Sequence, residues 1–237
     1  VTKGTANGGT INVGTSGVSS TKNADGVRTE IVAKDLAKTT VIEKDAVLDA
    51  SSTVNGNGGQ INVWSSIKTT VAGALKAMGG PQGGDGGFVE TSSKTQLVIE
   101  PTASVNTSAP KGKAGRWLLD PIDLTIDPAV ARVISAALAV NNVSIEVNAN
   151  TNACPGMGVC TQNGSGSLTI ASGADILKQG NALTSLTLTS SGAFNLNANI
   201  VGENLNVNIN SSVANLNAGT KIQARQVTIQ ALSLIHI

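Results

Sequence analysis

Leu186-Thr-Leu188, Phe194-Asn-Leu196, Leu205-Asn-Val-Asn-Ile209, Asn215-Leu216 and Val227-Thr-Ile229 follow one another about every ten residues, separated by Gly, Ser and Asn turns. Each is a short period-two segment with one apolar face, the pattern of a half-buried strand. Two such strands make a coil of roughly twenty residues. A coil that small cannot bury its apolar face alone, so it must stack on the coil before it, with parallel strands about 4.8 Å apart. The expected architecture is all-β, a parallel solenoid. At that coil length, 237 residues would hold about eleven coils and span about 50 Å.

Similar segments run back through the chain: Thr10-Ile-Asn-Val13, Gln60-Ile-Asn-Val63, Leu97-Val-Ile99, Leu124-Thr-Ile126, Val143-Ser-Ile-Glu-Val147 and Leu168-Thr-Ile170. The first half also carries an internal repeat. Asn7-Gly-Gly-Thr-Ile-Asn-Val13 returns as Asn57-Gly-Gly-Gln-Ile-Asn-Val63, and more loosely as Asp85-Gly-Gly-Phe-Val-Glu90. That repeat, with few tight two-residue hairpin signals, argues against an antiparallel sandwich. Glycine pairs before a strand suit a corner with positive φ. The asparagines Asn195, Asn197, Asn199, Asn206, Asn208 and Asn210 fit ladders that bond from one coil to the next better than they fit catalysis.

One helix is expected. Asp127 caps it, Pro128 fits its first turn, and Val130, Val133, Ile134, Ala137 and Leu138 share a face before Asn141-Asn142. Such a face packs on a core, as a lid or as side packing. The organisation read from these signals is a β-helix segment over 1–127, the helix over 128–142, and a second β-helix segment over 143–231. Residues 232–237, Leu-Ser-Leu-Ile-His-Ile, resemble a translated sequencing adaptor and are set aside. Val1 begins in mid-pattern, which suggests a fragment.

Composition narrows the function. Charged residues are 13%, aromatics 2%, and the formal net charge is +1, so nothing marks a nucleic-acid partner. The one histidine, His236, falls in the tail, which removes histidine triads and imidazole metal sites. No apolar run approaches the 18 or so residues of a membrane helix. Cys154 and Cys160 sit in a Gly/Pro-rich stretch where a local disulfide is geometrically easy, and an oxidising location follows from it.

The remaining chemical groups have structural readings. Asp120, Asp123 and Asp127 are the best acidic group for calcium or catalysis, yet a turn, a solvated strand position and the helix cap account for them. Gly79-Gly-Pro-Gln-Gly-Gly-Asp-Gly-Gly87 lacks the Lys-Ser/Thr ending of a phosphate loop and reads as a flexible loop or corner. Trp64 and Trp117 fit the interior better than a sugar platform. Lys111, Lys113 and Arg116 read as a solvated basic loop, and Lys22 to Asp45 as an exposed coil face.

Gly56-Asn-Gly-Gly-Gln-Ile-Asn-Val-Trp-Ser65, Gly83-Gly-Asp-Gly-Gly-Phe-Val-Glu-Thr-Ser92 and Gly112-Lys-Ala-Gly-Arg-Trp-Leu-Leu-Asp-Pro-Ile-Asp-Leu-Thr-Ile126, in this order, resemble the filamentous-haemagglutinin-like exoproteins of two-partner secretion. Gly166-Ser-Leu-Thr-Ile170 and Asn197-Ala-Asn-Ile200 continue the resemblance, which covers the chain from about Lys44. It implies a right-handed parallel β-helix in a large bacterial adhesin, extracellular or at the cell surface. It further implies export by an outer-membrane β-barrel transporter and a host-cell or surface ligand, carbohydrate among the options. Ser93 stands where the family often has Gly, and the cysteine loop is not a general family feature. The expected role is a noncatalytic scaffold without metal or cofactor. The alternatives are a β-helical carbohydrate-active enzyme and the delivery stalk of a contact-dependent toxin.

Overall fold

The computed structural model describes residues 7–22, 28–149 and 164–236. In chain order its strands are β1 (Thr10–Val13), β2 (Gly17–Lys22), β3 (Arg28–Lys34), β4 (Thr39–Ile42), β5 (Val47–Asp49), β6 (Gln60–Val63), β7 (Lys68–Val71), β8 (Ala74–Lys76), β9 (Phe88–Ser92) and β10 (Gln96–Ile99). After them come β11 (Ser104–Asn106), β12 (Arg116–Asp120), β13 (Leu124–Ile126), the helix α1 (Pro128–Leu138), β14 (Asn142–Val147), β15 (Leu168–Ile170), β16 (Ile176–Leu177), β17 (Thr184–Leu196), β18 (Ile200–Leu216) and β19 (Ile222–His236). The protein is mostly β, and its sheets are parallel except for one hairpin.

The longest run of paired strands is β1-β6-β9-β12-β14-β17-β18-β19, all parallel. Beside it lie β4-β7-β10 and β5-β8-β11, also parallel. In the later tiers β13 pairs with β15 and β15 with the second half of β17, while β16 pairs with the start of β18. Ile61 pairs with Val89 and Val89 with Trp117, each step 28 residues. The step then shortens, to 26 residues between Trp117 and Val143, 21 between Leu186 and Val207 and 20 between Val207 and Val227. The long run therefore has eight tiers where about eleven were expected, and its seven spacings cover about 34 Å. Two tiers are further lengthened by excursions, between β1 and β6 and between β14 and β17.

The excursion after β1 holds the antiparallel pair β2-β3, Gly17 opposite Lys34. This corrects the reading of Lys22 to Asp45 as an exposed coil face: part of it is a hairpin, and β4 belongs to a parallel sheet. A second correction concerns the C-terminus. Ser233 to His236, set aside as a tail, pair with Val213 to Leu216 and complete β19, because an open strand edge accepts any alternating segment that follows.

Stacked tiers place like positions over one another. Ile61, Val89, Trp117, Val143, Leu186 and Val207 form one buried inward column, and Leu119, Ile145, Leu188 and Ile209 another. Each such side chain contributes about 1.5–3 kcal/mol of burial. Trp117 is fully buried, and its Nε1 donates to Thr91 Oγ1 at 3.0 Å, so the indole fills the core without an orphaned donor. One cluster runs from Ile42 to Ala214 through α1, and the helix does not separate two cores.

The helix forms where its sequence predicts but ends at Leu138 rather than at 142, and Asn142 already opens β14. Asp127 Oδ1 accepts from the N–H groups of Ala129 and Val130 at 2.8 and 2.9 Å, and Val130, Val133, Ile134, Ala137 and Leu138 are buried with Ala131. It packs between β11 and β16, where a strand would otherwise continue the third sheet. Asn141, just beyond it, finishes the buried, otherwise unpaired ladder edge: its Nδ2 donates to Val105 O at 2.8 Å, and its Oδ1 accepts from Thr107 N at 2.6 Å.

Candidate functional site

The Asx-Gly-Gly repeat stacks one copy above another. Asn7 Oδ1 accepts from Asn57 N at 2.8 Å, Asn57 Oδ1 from Asp85 N at 2.7 Å, and Asp85 Oδ1 from Lys113 N at 2.8 Å. The glycines between them are needed for close approach: a Cβ on Gly86 would lie 1.8 Å from Thr107 O. Positive φ, the expected reason, occurs at Gly56 and Gly84 but not at Gly58, Gly59, Gly86 or Gly87. The stretch 79–87 is a bonded corner, with Gln82 N donating to Val54 O and Gly56 N to Gly83 O. Ser93, where glycine was the family expectation, works through its side chain: its Oγ donates to Ile67 O at 3.1 Å and accepts from Gln96 N at 3.2 Å.

The asparagine ladder forms in part. Asn215 Nδ2 donates to Asn195 Oδ1 at 2.7 Å, and Asn217 bonds to Asn197. Asn199 instead bonds Asp175. Asn206, Asn208 and Asn210 stand opposite Ser185, Thr187 and Thr189 on one side and Gln226, Thr228 and Gln230 on the other, so the register denies them an asparagine partner. An unexpected rung joins Asn62 Nδ2 to Asn12 Oδ1 at 2.7 Å.

The three aspartates do not converge. Asp127 caps α1. Asp123 accepts from the N–H groups of Ser165 and Ser167, tying down the chain before β15. Asp120 ends β12, one residue after the Leu119–Ile145 pair, which sets it beside Glu146 on the next tier. Burial, above all, pushes its carboxyl up to about 7, and Glu146 adds to this while Arg116 opposes it. Glu146 bonds to Arg116 at 2.5 Å, with Arg116 also 5.9 Å from the Phe88 ring centroid. Arg116 is thus a strand residue in an ion pair, which corrects its reading as part of a solvated basic loop. Among the described residues no group of three or more metal-ligating side chains occurs.

The lower tiers of the long sheet are buried on both faces. Asn62, Trp64, Glu90, Ser92, Leu118 and Ser144 alternate with the inward columns yet are all buried. Trp64 lies on this outward row rather than in the interior, and neither tryptophan offers a platform to a sugar. Cys154 and Cys160, the candidate disulfide, lie outside the described residues. No helix of the described residues is long and apolar enough to cross a membrane.

The upper tiers carry a different outward surface. A groove of about 580 Å³ lies beside them, with Pro110, Lys113, Asn142, Leu183, Ser185 and Asn206 among its lining residues. The loop under Leu183 is held by Lys178, whose Nζ donates to Gly180 O and Ala182 O at 2.7 and 2.6 Å. With these features in place, comparison with protein-family models, with curated proteins and with solved structures finds no match.

Proposed function

We propose that the chain is a scaffold segment of a filamentous-haemagglutinin-like exoprotein, a right-handed parallel β-helix that holds binding surfaces away from a bacterial cell. Export by two-partner secretion through an outer-membrane β-barrel, and an extracellular or cell-surface location, belong to the same reading. The observation that carries it is the register: the same face of the chain returns one tier higher across eight parallel strands. Stacking of that kind buries the core in a thin column and grows by repetition, which suits reach and contact. It also suits a chain that leaves a narrow pore unfolded and then adds one coil at a time.

A carbohydrate-active enzyme is the second reading, and the Asp120–Glu146 pair favours it, since such chemistry needs two neighbouring carboxyls and burial raises that of Asp120. Arg116 weighs against this by taking up Glu146 in an ion pair. Two measurements test the proposal. Deleting residues 197–216, one period of the C-terminal register, leaves a folded and shorter rod in small-angle scattering. Fused behind a two-partner secretion domain, the chain reaches the cell surface only with the matching transporter. Collapse of the deletion variant, transporter-independent display, or a polysaccharide-cleaving activity abolished by Asp120→Asn would each overturn it.

A further inference from the structure

Two Asp-Pro bonds lie on either side of β13, and the structure holds them differently. At the second, Asp127 Oδ1 accepts the N–H groups of Ala129 and Val130, and the Asp127 carbonyl accepts that of Ala131. Carboxyl and carbonyl are both tied into the helix end there, and Asp127 and Pro128 are exposed. At the first, Asp120 is the last residue of β12, with Ser92 opposite it on β9 and Glu146 beside it on β14. Its carboxyl accepts no hydrogen bond from any described residue. Asp120 is half-buried and Pro121 after it is buried. The cation that acts on Asp120 is Arg116 of its own strand, which is itself taken up by Glu146.

We propose that the chain cuts itself at the Asp120–Pro121 bond, through attack of the Asp120 carboxyl on the carbonyl carbon of the same residue. One carboxyl oxygen bonds to that carbon while the bond from it to the Pro121 nitrogen breaks. The electron pair stays on the nitrogen, which takes up the proton the carboxyl held and leaves as a secondary amine. Residues 1–120 then end in a five-membered cyclic anhydride, and one water opens it to the two carboxyl groups of a C-terminal aspartate. Proline favours the step because its nitrogen carries no N–H to hold in the ladder and leaves as a strong base. An ordinary Asp-Pro bond follows this route only in acid, where its carboxyl is protonated. Burial lets Asp120 keep its proton up to about 7, and the lack of hydrogen bonds leaves its carboxyl free to turn onto its own carbonyl. The two pieces stay joined, because β12 of the first pairs with β14 of the second, and part only when the sheet is opened. This activity goes beyond the scaffold reading and does not depend on it.

The test incubates the purified 237-residue chain and follows it by denaturing electrophoresis and intact-mass spectrometry. At about pH 6 the folded chain is expected to yield 1–120 and 121–237, at a rate unchanged by dilution and falling about tenfold for each pH unit above 7. The same chain unfolded in urea at about pH 6 stays whole, since the carboxyl is there ionised like any other. Asp120→Asn abolishes the cut, Pro121→Ala slows it at least about tenfold, and Asp127→Asn leaves it unchanged. Asp120→Glu keeps the acid but must close a larger ring, so it too slows the cut, and it carries the comparison if the asparagine variant does not fold. A folded chain that stays whole at about pH 6, equal cutting at Asp127–Pro128, a rate that falls on dilution, or cutting that survives Asp120→Asn overturns the proposal. None of those results touches the stacked fold or the scaffold reading.

Discussion

Asn141 Oδ1 accepts the backbone N–H of Thr107 at 2.6 Å, while the same amide's Nδ2 donates to Val105 O at 2.8 Å. One side chain thereby replaces the two backbone groups that a further strand would have offered to β11. The helix interrupts the third sheet at this level, and the substitution keeps a buried ladder edge from being left unsatisfied. Asn141→Ala strands both backbone groups and is expected to cost about 2–4 kcal/mol, measured by urea unfolding. Asn141→Asp keeps the acceptor but loses the donor and recovers only part of the loss. An alanine variant as stable as the parent would remove this account of the sheet break.

The glycines divide by cause. A Cβ on Gly86 would meet Thr107 O at 1.8 Å and Gly115 N at 2.3 Å, both backbone atoms. Gly173, at φ +75, has open space around the added atom. Gly86→Ala should therefore cost about 3 kcal/mol or more through forced displacement of a tier, and Gly173→Ala about 1–2 kcal/mol from backbone strain alone. Equal losses in thermal melts would refute the close-approach explanation of the Asx-Gly-Gly repeat.

Asp120 makes stability depend on pH. Its folded carboxyl titrates near 7 against a usual value of 3.8, so between those values the folded chain holds a proton that the unfolded chain has released. Its contribution is complete below about pH 4 and disappears as pH rises through 7, a change of at most about 4 kcal/mol. The stability difference between the parent and Asp120→Asn is expected to move in favour of the variant from pH 4 to pH 8. A pH-independent difference would show that the Asp120–Glu146 neighbourhood does not hold the proton.

The helix cap gives a smaller and more local effect. Asp127 Oδ1 accepts two N–H groups of the first turn, so Asp127→Ala should cost about 1 kcal/mol and Asp127→Asn a few tenths. Ile134→Ala, within the buried face, should cost about 2–5 kcal/mol. If the cap variant proved the more damaging of the two, α1 would be held by its terminus rather than by packing.

Some of this was readable beforehand because it is local. The alternation of Leu186, Leu188 and Ile209 with polar neighbours sets their burial, and Asp127-Pro128 followed by a 3.6-period stripe sets the helix. Other features depend on which tier lies above which. Arg116 and Glu146 are thirty residues apart in sequence, and only register makes them partners. Asn206 faces Ser185 and Gln226 rather than another asparagine for the same reason. The hairpin β2-β3 was missed because neither Gly17–Lys22 nor Arg28–Lys34 carries the period-two alternation that marks the other strands.

The chain's own order of residues determined that short strands with one apolar side must cover one another, that a single capped helix interrupts them, and that glycine and asparagine mark the corners. Those follow from periodicity and backbone freedom, which act over a few residues. Tertiary structure alone decided the tier length, the second buried face bearing Glu90 and Leu118, the raised Asp120 and the buried Asn206 Oδ1 that lacks a partner among the described residues. These depend on desolvation and on neighbours brought within bonding distance from some twenty to forty residues away, and no local pattern records them.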